Sequence, residues 1–413
     1  MRPTELIIRN YRSFAGEHRV ELRPLTLIFG DNSAGKTALA RALPLLADAV
    51  SPTSKGPLPL DSAAMAGSGF ADLRFKGSLN DGDGAHLGLG LAWEQGDQPC
   101  SATFEFDREF RRIQVKQLEI EKSDTKRLEL RWIPHDRQPA LYDLDGTTIA
   151  LQFEGLVPSL ATDDAVIAAS IHGISHRLSA LHRRVQWLEA LRSPAPKRSP
   201  QPAQPFVLLR PDGRDASQLA FADEQVQKRA SAWFERNLHR ELVLAESPPD
   251  ELRTYLRRIH DPRYDVDLID AGQGALQVFP VLVALATLRR PDGPLVLVIE
   301  EPESHLHAEL QYELAREITA AVDPKRSIIL ETHSRPFFLG IQLEIIRGTV
   351  RPEDVIIHSV RQEASTGRSN VDRVELDADG MPSARWPASF FSSDAVLARE
   401  LIMARRARPK SSP

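Results

Sequence analysis

Gly30-Asp31-Asn32-Ser33-Ala34-Gly35-Lys36-Thr37 fills the pattern G-x-x-x-x-G-K-[ST]. The apolar run Leu25 to Phe29 leads into it, and the chain takes helical spacing from Thr37. Strand, glycine-bearing loop and helix in that order are the context a phosphate loop requires. The glycines let the loop curl so that backbone N–H groups face an anion at a helix N-terminus. Lys36 would then neutralise β- and γ-phosphate charge, and Thr37 would supply a magnesium ligand. The expected nucleotide contacts are therefore Gly30, Asp31, Asn32, Ser33, Ala34, Gly35, Lys36, Thr37 and Ala38, with ATP and Mg2+ as the cofactors.

Working outward, Leu295 to Ile299 is an apolar strand that delivers Glu300 and Glu301 at its C-terminal end, where open α/β sheets place ligands. Alternation points the two carboxylates in different directions. Glu300 is expected to hold the metal through its water shell, and Glu301 to orient the attacking water. A second apolar strand, Ser327 to Leu330, ends in Glu331-Thr332-His333-Ser334. His333 there can meet a γ-phosphate oxygen and the attacking water. Lys36, Glu301 and His333 are the expected catalytic residues, and Thr37 with Glu300 the expected metal ligands.

Four ordered segments now resemble one family. Asn10-Tyr11-Arg12-Ser13-Phe14, the phosphate loop, Glu300-Glu301-Pro302-Glu303-Ser304-His305-Leu306-His307 and Thr332-His333-Ser334 together look like the ABC-type ATPases related to the overcoming-lysogenization-defect family and to DNA-repair and chromosome-maintenance ATPases. The resemblance implies an α/β fold: an ABC-type P-loop ATPase with a mostly parallel sheet, an antiparallel β lobe and a helical insertion. It implies that Arg12 and Ser13 lie near the phosphates and that Asn32 touches the γ-phosphate. It places Asp270-Ala271-Gly272-Gln273-Gly274-Ala275-Leu276-Gln277 at the signature segment, where Gly272 and Gly274 would approach the nucleotide of a second subunit in a head-to-tail dimer. The serine usual in that segment is missing, and the family's lobe-coupling glutamine has no counterpart near Gly69 to Leu73. Val374 to Gly380 and Trp386 to Phe391 resemble a C-terminal extension on one bacterial branch. That extension has no assigned chemistry; the resemblance as a whole implies work in bacterial DNA maintenance or anti-phage defence with a separately encoded nuclease or toxin.

Pattern divides the 413 residues into 1–150, an N-terminal lobe with the phosphate loop and an antiparallel sheet from Phe70 to about Tyr142; 151–260, a helical insertion; 261–360, a C-terminal ATPase lobe; and 361–413, the extension. Within the insertion, Ile167, Ile171, Ile174, Leu178 and Leu181 recur at helical spacing among Arg177, His182, Arg183 and Arg184, a candidate helical arm from about Asp163 to Arg192. The signature helix is expected from near Gln277, and Asp377 to Gly380 reads as a turn between strands. Asn80 to Gly84 reads as a turn, Ser193 to Pro205 as an exposed proline-rich loop, and Arg405 to Pro413 as a disordered tail.

Composition bounds the remaining classes. A formal net charge of -5 lacks the excess that holds a protein on nucleic acid by bulk charge, while a local basic groove leaves DNA open as a partner. Cys100 stands alone, which excludes an internal disulfide and a cysteine-built zinc site and suits a reducing, cytoplasmic setting. The alternation of Met1 to Arg12 is unlike a signal peptide, and Arg289, Arg290 and Pro291 interrupt the most apolar stretch, so no membrane partner is expected. Alternative readings are an ATP-regulated nuclease, which needs converging acids beyond those found, and a non-hydrolysing nucleotide-dependent scaffold, motivated by the missing signature serine. A bare transporter ATPase is argued against by the long insertion and the C-terminal extension.

Overall fold

The structure, a computed structural model, describes residues 1–77, 86–94, 100–109, 111–122, 125–135, 139–160, 162, 164–193, 196–201, 206–247, 251–261 and 263–383. Trp386 to Phe391, the tail from Arg405, the turn Asn80 to Gly84 and part of the proline-rich loop lie outside them.

A six-stranded sheet carries the chemistry. Its strands run in the order Val185–Leu188, Val296–Glu300, Ser327–Thr332, Leu25–Gly30, Val355–Gln362 and Ser369–Val374. All neighbours are parallel except the last pair. Every residue of Val296–Glu300 and of Ser327–Thr332 is buried, as expected of parallel strands covered on both faces. Strand alternation divides their side chains between two cores. Val296, Val298 and Ile329 join Leu39, Leu43 and Leu46 of the helix Lys36–Ala49, whereas Leu297, Ile299 and Leu330 join Val278, Val281 and Leu285 of the helix Gln273–Leu288. Register pairs Glu300 with Glu331 and Thr332 with Phe29, so three strands end at one edge, where the phosphate loop begins.

The first core continues into a nine-stranded antiparallel sheet. From one edge it runs Phe14–Glu21, Glu5–Tyr11, Leu87–Trp93, Cys100–Glu109, Arg112–Lys122, Thr125–Trp132, Ala140–Leu144, Thr147–Glu154 and Val157–Leu160. The antiparallel lobe is thus larger than expected. It takes in both N-terminal strands and passes residue 150 to end at Leu160, because the pattern from Thr147 alternates buried and exposed positions.

The candidate arm is shorter and more deeply packed than its spacing implied. It is one helix, Ala165–Ser179, capped by Asp164 and burying Ile171, Ile174 and Leu178 in the first core. Arg183 and Arg184 lie beyond its end, where Arg184 O accepts from Leu295 N at 2.7 Å. Val185–Leu188 then adds to the edge of the parallel sheet. The rest of the stretch to residue 260 combines the helices Ala216–Ala222 and Glu224–Leu238 with a small antiparallel sheet of Arg198–Pro200, Glu251–Arg258 and Arg240–Ser247. Among the described residues no helix is long and apolar enough to cross a membrane.

Candidate functional site

Both loop glycines are demanded by backbone and space. Gly30 has φ +156, and a Cβ there would sit 2.0 Å from Val360 O; Gly35 has φ +102, and its Cβ would meet Ser13 Oγ at 2.7 Å. The helix that follows has no side-chain cap at Gly35, so its first N–H groups are free for an anion. Asp31, Asn32 and Ser33 are exposed. Lys36 Nζ folds onto the loop, donating to Gly30 O at 3.0 Å and Asp31 O at 2.8 Å. Burial lowers its pKa, opposed chiefly by the charge of Glu331.

The expected neighbours of the loop divide. Ser13 Oγ lies 2.8 Å from Ser369 Oγ, which donates to Ala34 O at 2.7 Å, so Ser13 sits against the loop. Ser369, which carried no motif, hooks the loop from the last strand. Arg12 turns instead toward the neighbouring segment, donating to Ser68 Oγ at 3.4 Å.

The structure brings Glu301 and His333 together as their strands predict. Glu301 Oε1 lies 3.6 Å from His333 Nδ1, and Glu301 Oε2 accepts from Ser304 Oγ at 2.9 Å. Glu301 adopts φ +43, a left-handed turn just past the strand end. Both side chains are accessible, at 33% and 53% exposure.

Glu300 is not brought to Thr37. Arg41 Nε and Nη2 hold its two oxygens at 2.6 and 2.7 Å, and Trp187 Nε1 donates to Oε1 at 3.0 Å. The side chain is 1% exposed. Both oxygens are committed to a guanidinium whose fork matches a carboxylate. Thr37 Oγ1 donates instead to Glu331 Oε1 at 2.7 Å. Glu331 is 4% exposed and its other oxygen, Oε2, has no partner. Burial pushes its pKa up to about 7. An orphaned buried carboxylate oxygen beside the loop hydroxyl fits a hard divalent cation, which takes oxygen ligands and keeps several waters.

Two further buried groups were not legible as site residues. Glu303 accepts from Thr332 Oγ1, and burial raises its pKa. Arg192, 3% exposed, donates through Nη2 to Glu300 O at 2.7 Å and Glu301 O at 3.1 Å. Burial lowers its pKa to about 10.

Gly272 and Gly274 lie elsewhere. The signature helix starts at Gln273, four residues before the expected position, because Gly272 at φ +97 is its N-cap. No side chain caps this end, and a Cβ on Gly272 would meet nothing within 4 Å. A Cβ on Gly274 would meet His305 O at 2.9 Å. Among the described residues no hydrogen bond joins either glycine to the phosphate loop of the same chain. Gln277, one turn on, brackets the Arg192 backbone: its Nε2 donates to Arg192 O at 2.9 Å and its Oε1 accepts from Arg192 N at 3.3 Å.

Asp377 forms the expected turn, with Oδ1 accepting from Asp379 N and Met381 N at 3.0 and 2.8 Å. Its carboxylate is spent locally.

No curated protein sequence matches the chain. Similar solved structures include the SMC head domain from Thermotoga maritima, at 13% identity and TM-score 0.47, covering 91% of this chain and 100% of that one. The Smc head domain with an extended coiled coil bound to the C-terminal domain of ScpA, derived from Pyrococcus furiosus, is 13% identical at TM-score 0.47, covering 98% and 99%. A family model described as "AAA domain, putative AbiEii toxin, Type IV TA system" matches residues 25–340, a span that contains the phosphate loop, Glu300-Glu301 and His333. The chain belongs to that AAA-domain family and carries its nucleotide-binding, ATPase-like P-loop fold.

Proposed function

We propose that this protein binds and hydrolyses ATP as a conformational switch, closing into a head-to-tail dimer around two Mg-ATP molecules. One observation carries the proposal. Lys36 and Thr37 on the phosphate loop and the Glu301–His333 pair stand at the same edge of one parallel sheet, linked through the bond from Thr37 to Glu331. Loop and helix N–H groups would cradle the phosphates, and Lys36 would exchange its carbonyl partners for β/γ oxygens. Glu301 would orient the attacking water, with His333 placed to share its proton and meet the γ-phosphate. Thr37 and a neighbouring carboxylate would hold magnesium, which supplies charge neutralisation on the β- and γ-phosphates when bound.

The dimer is supported by the signature segment. Gly272 and Gly274 begin an uncapped helix with open space beside Gly272, which suits a phosphate brought by a second subunit. By the motifs that resemble DNA-maintenance ATPases, the switch works in the cytoplasm with a separately encoded nuclease or toxin, in DNA maintenance or anti-phage defence; the family description, which names a Type IV toxin–antitoxin system, favours the defence setting.

The test is Mg-dependent ATP turnover as a function of protein concentration, beside Lys36→Ala and Glu301→Gln. Composite sites make specific activity rise with concentration until dimers saturate. Both variants should lose turnover, with Glu301→Gln accumulating as an ATP-bound dimer. Wild-type binding of ATP without turnover would instead make the chain a nucleotide-gated scaffold.

A further inference from the structure

Four carboxylates stand at the sheet edge near the phosphate loop, and their partners differ: Glu303 is turned to Thr332 Oγ1, away from the loop hydroxyl. Glu300 is closed off by Arg41 and Trp187. Glu301 faces outward to Ser304 and His333. Glu331 alone touches the loop, through Thr37 Oγ1 at 2.7 Å. Its second oxygen is buried with no donor. Burying a carboxylate oxygen without a partner is costly, and such groups in native proteins mark a function or a bound ion.

Strand geometry explains how Glu331 comes to stand there. Ser327–Thr332 lies between the strand of Glu300 and the strand that feeds the loop, with Glu331 in register with Glu300 on one side and Ile28 on the other. It is therefore one strand closer to the loop than Glu300. The Arg41 guanidinium, one helical turn after Thr37, fills the space between Glu300 and the helix.

We infer that Glu331, and not Glu300, is the protein carboxylate that binds the magnesium of Mg-ATP together with Thr37. The assignment rests on the phosphate-loop reading under Proposed function. Two protein oxygens suit an ion that keeps its waters and shares the phosphate oxygens of its nucleotide. Glu300 becomes a structural anchor that ties the loop helix to the sheet through Arg41.

The test measures metal and nucleotide separately on the full chain. Mn2+ binding in the presence of a non-hydrolysable ATP analogue is followed by electron paramagnetic resonance, and binding of the analogue alone is measured in EDTA. Glu331→Gln should weaken Mn2+ binding by about ten-fold or more, the range found when a carboxylate partner of a metal site is removed, while the analogue still binds in EDTA. Glu300→Gln should leave Mn2+ affinity as in the wild type and lower the melting temperature. Should Glu331→Gln fail to fold, Glu331→Asp keeps the charge with a shorter reach and should still weaken Mn2+ binding by several-fold. Mn2+ affinity unchanged in the Glu331 variants, or lost in Glu300→Gln alone, would overturn the assignment. A wild-type chain that binds no analogue in EDTA and no Mn2+ with it would overturn the phosphate-loop reading and this assignment with it.

Discussion

Arg41 grips both oxygens of Glu300, Nε to Oε1 at 2.6 Å and Nη2 to Oε2 at 2.7 Å, and so ties the helix that follows the phosphate loop to the end of the strand that precedes Glu301. The carboxylate is almost wholly out of water, at 1% exposure. Removing the guanidinium alone strands a buried charge. Arg41→Ala should therefore cost about 3 kcal/mol, the usual penalty for breaking a buried pair from one side. Arg41→Lys should recover only part of it, because an ammonium cannot bond two oxygens in parallel. Replacing both partners by apolar residues should be milder than Arg41→Ala. Urea titrations of the three variants check the order.

Glu301 and His333 are partly exposed and 3.6 Å apart, so substitutions there should leave the fold intact and report on chemistry. Glu301→Gln should lower ATP turnover by about 100-fold or more, and His333→Ala by about 100-fold, the scale of a lost general acid or base. Nucleotide affinity should stay near the wild-type value in both. Single-turnover hydrolysis beside equilibrium binding separates the two effects.

The division between what the sequence carried and what it withheld follows from the reach of local patterns. Strand, loop and helix around Gly30 to Thr37 were legible because glycine placement and apolar runs are local signals. The meeting of Glu301 and His333 was legible because both end apolar strands. The partner of Glu300 was not: Arg41 is an ordinary helix residue, and only the fold sets it against a carboxylate 259 positions away. For the same reason Arg192 went unseen in a stretch assigned to a helical insertion, and Ser369 carried no motif at all. The helix expected through Arg192 ends at Ser179, and Val185–Leu188 beyond it is a strand, a run too short for periodicity to tell strand from helix.

His358 gives the fold an acid sensitivity. It lies on the strand beside the phosphate-loop strand, 2% exposed, with Nε2 2.7 Å from Glu21 O. Burial lowers its pKa below the ordinary value of 6.5, with Arg373 and Arg23 adding to the shift and the Glu21 contacts opposing it. The unfolded chain therefore takes up the proton at a higher pH than the folded one. The contribution of His358 to stability is complete above about pH 6.5 and is lost as pH falls toward the folded pKa. His358→Gln, which keeps a polar side chain without titrating, should flatten the dependence of melting temperature on pH as the pH falls below about 6.5, while Glu331 and the other titrating groups leave their own slopes in both proteins.

Arg192 and Gln277 join the signature helix to the turn that aims Glu301. Gln277 holds the Arg192 backbone from both sides, and the Arg192 guanidinium holds the carbonyls of Glu300 and Glu301. The left-handed turn at Glu301, φ +43, is a conformation that costs an ordinary residue about 1–3 kcal/mol and persists only when its surroundings fix it. Arg192 supplies such a constraint, so its loss should release the turn and misplace the carboxylate without touching the loop that binds phosphate. Arg192→Met keeps the packing volume and removes the donors. It should reduce turnover by about ten-fold or more, the scale expected when a reacting group is displaced by a fraction of an ångström to an ångström, with ATP affinity unchanged. Gln277→Leu should act in the same direction more weakly, because Arg192 keeps its own bonds to the carbonyls. Combined with Glu301→Gln, Arg192→Met should add little further loss, since both act through the same carboxylate. Steady-state turnover and nucleotide binding of the two single variants and the double variant decide it: full additivity would place Arg192 outside the chain of contacts that positions Glu301.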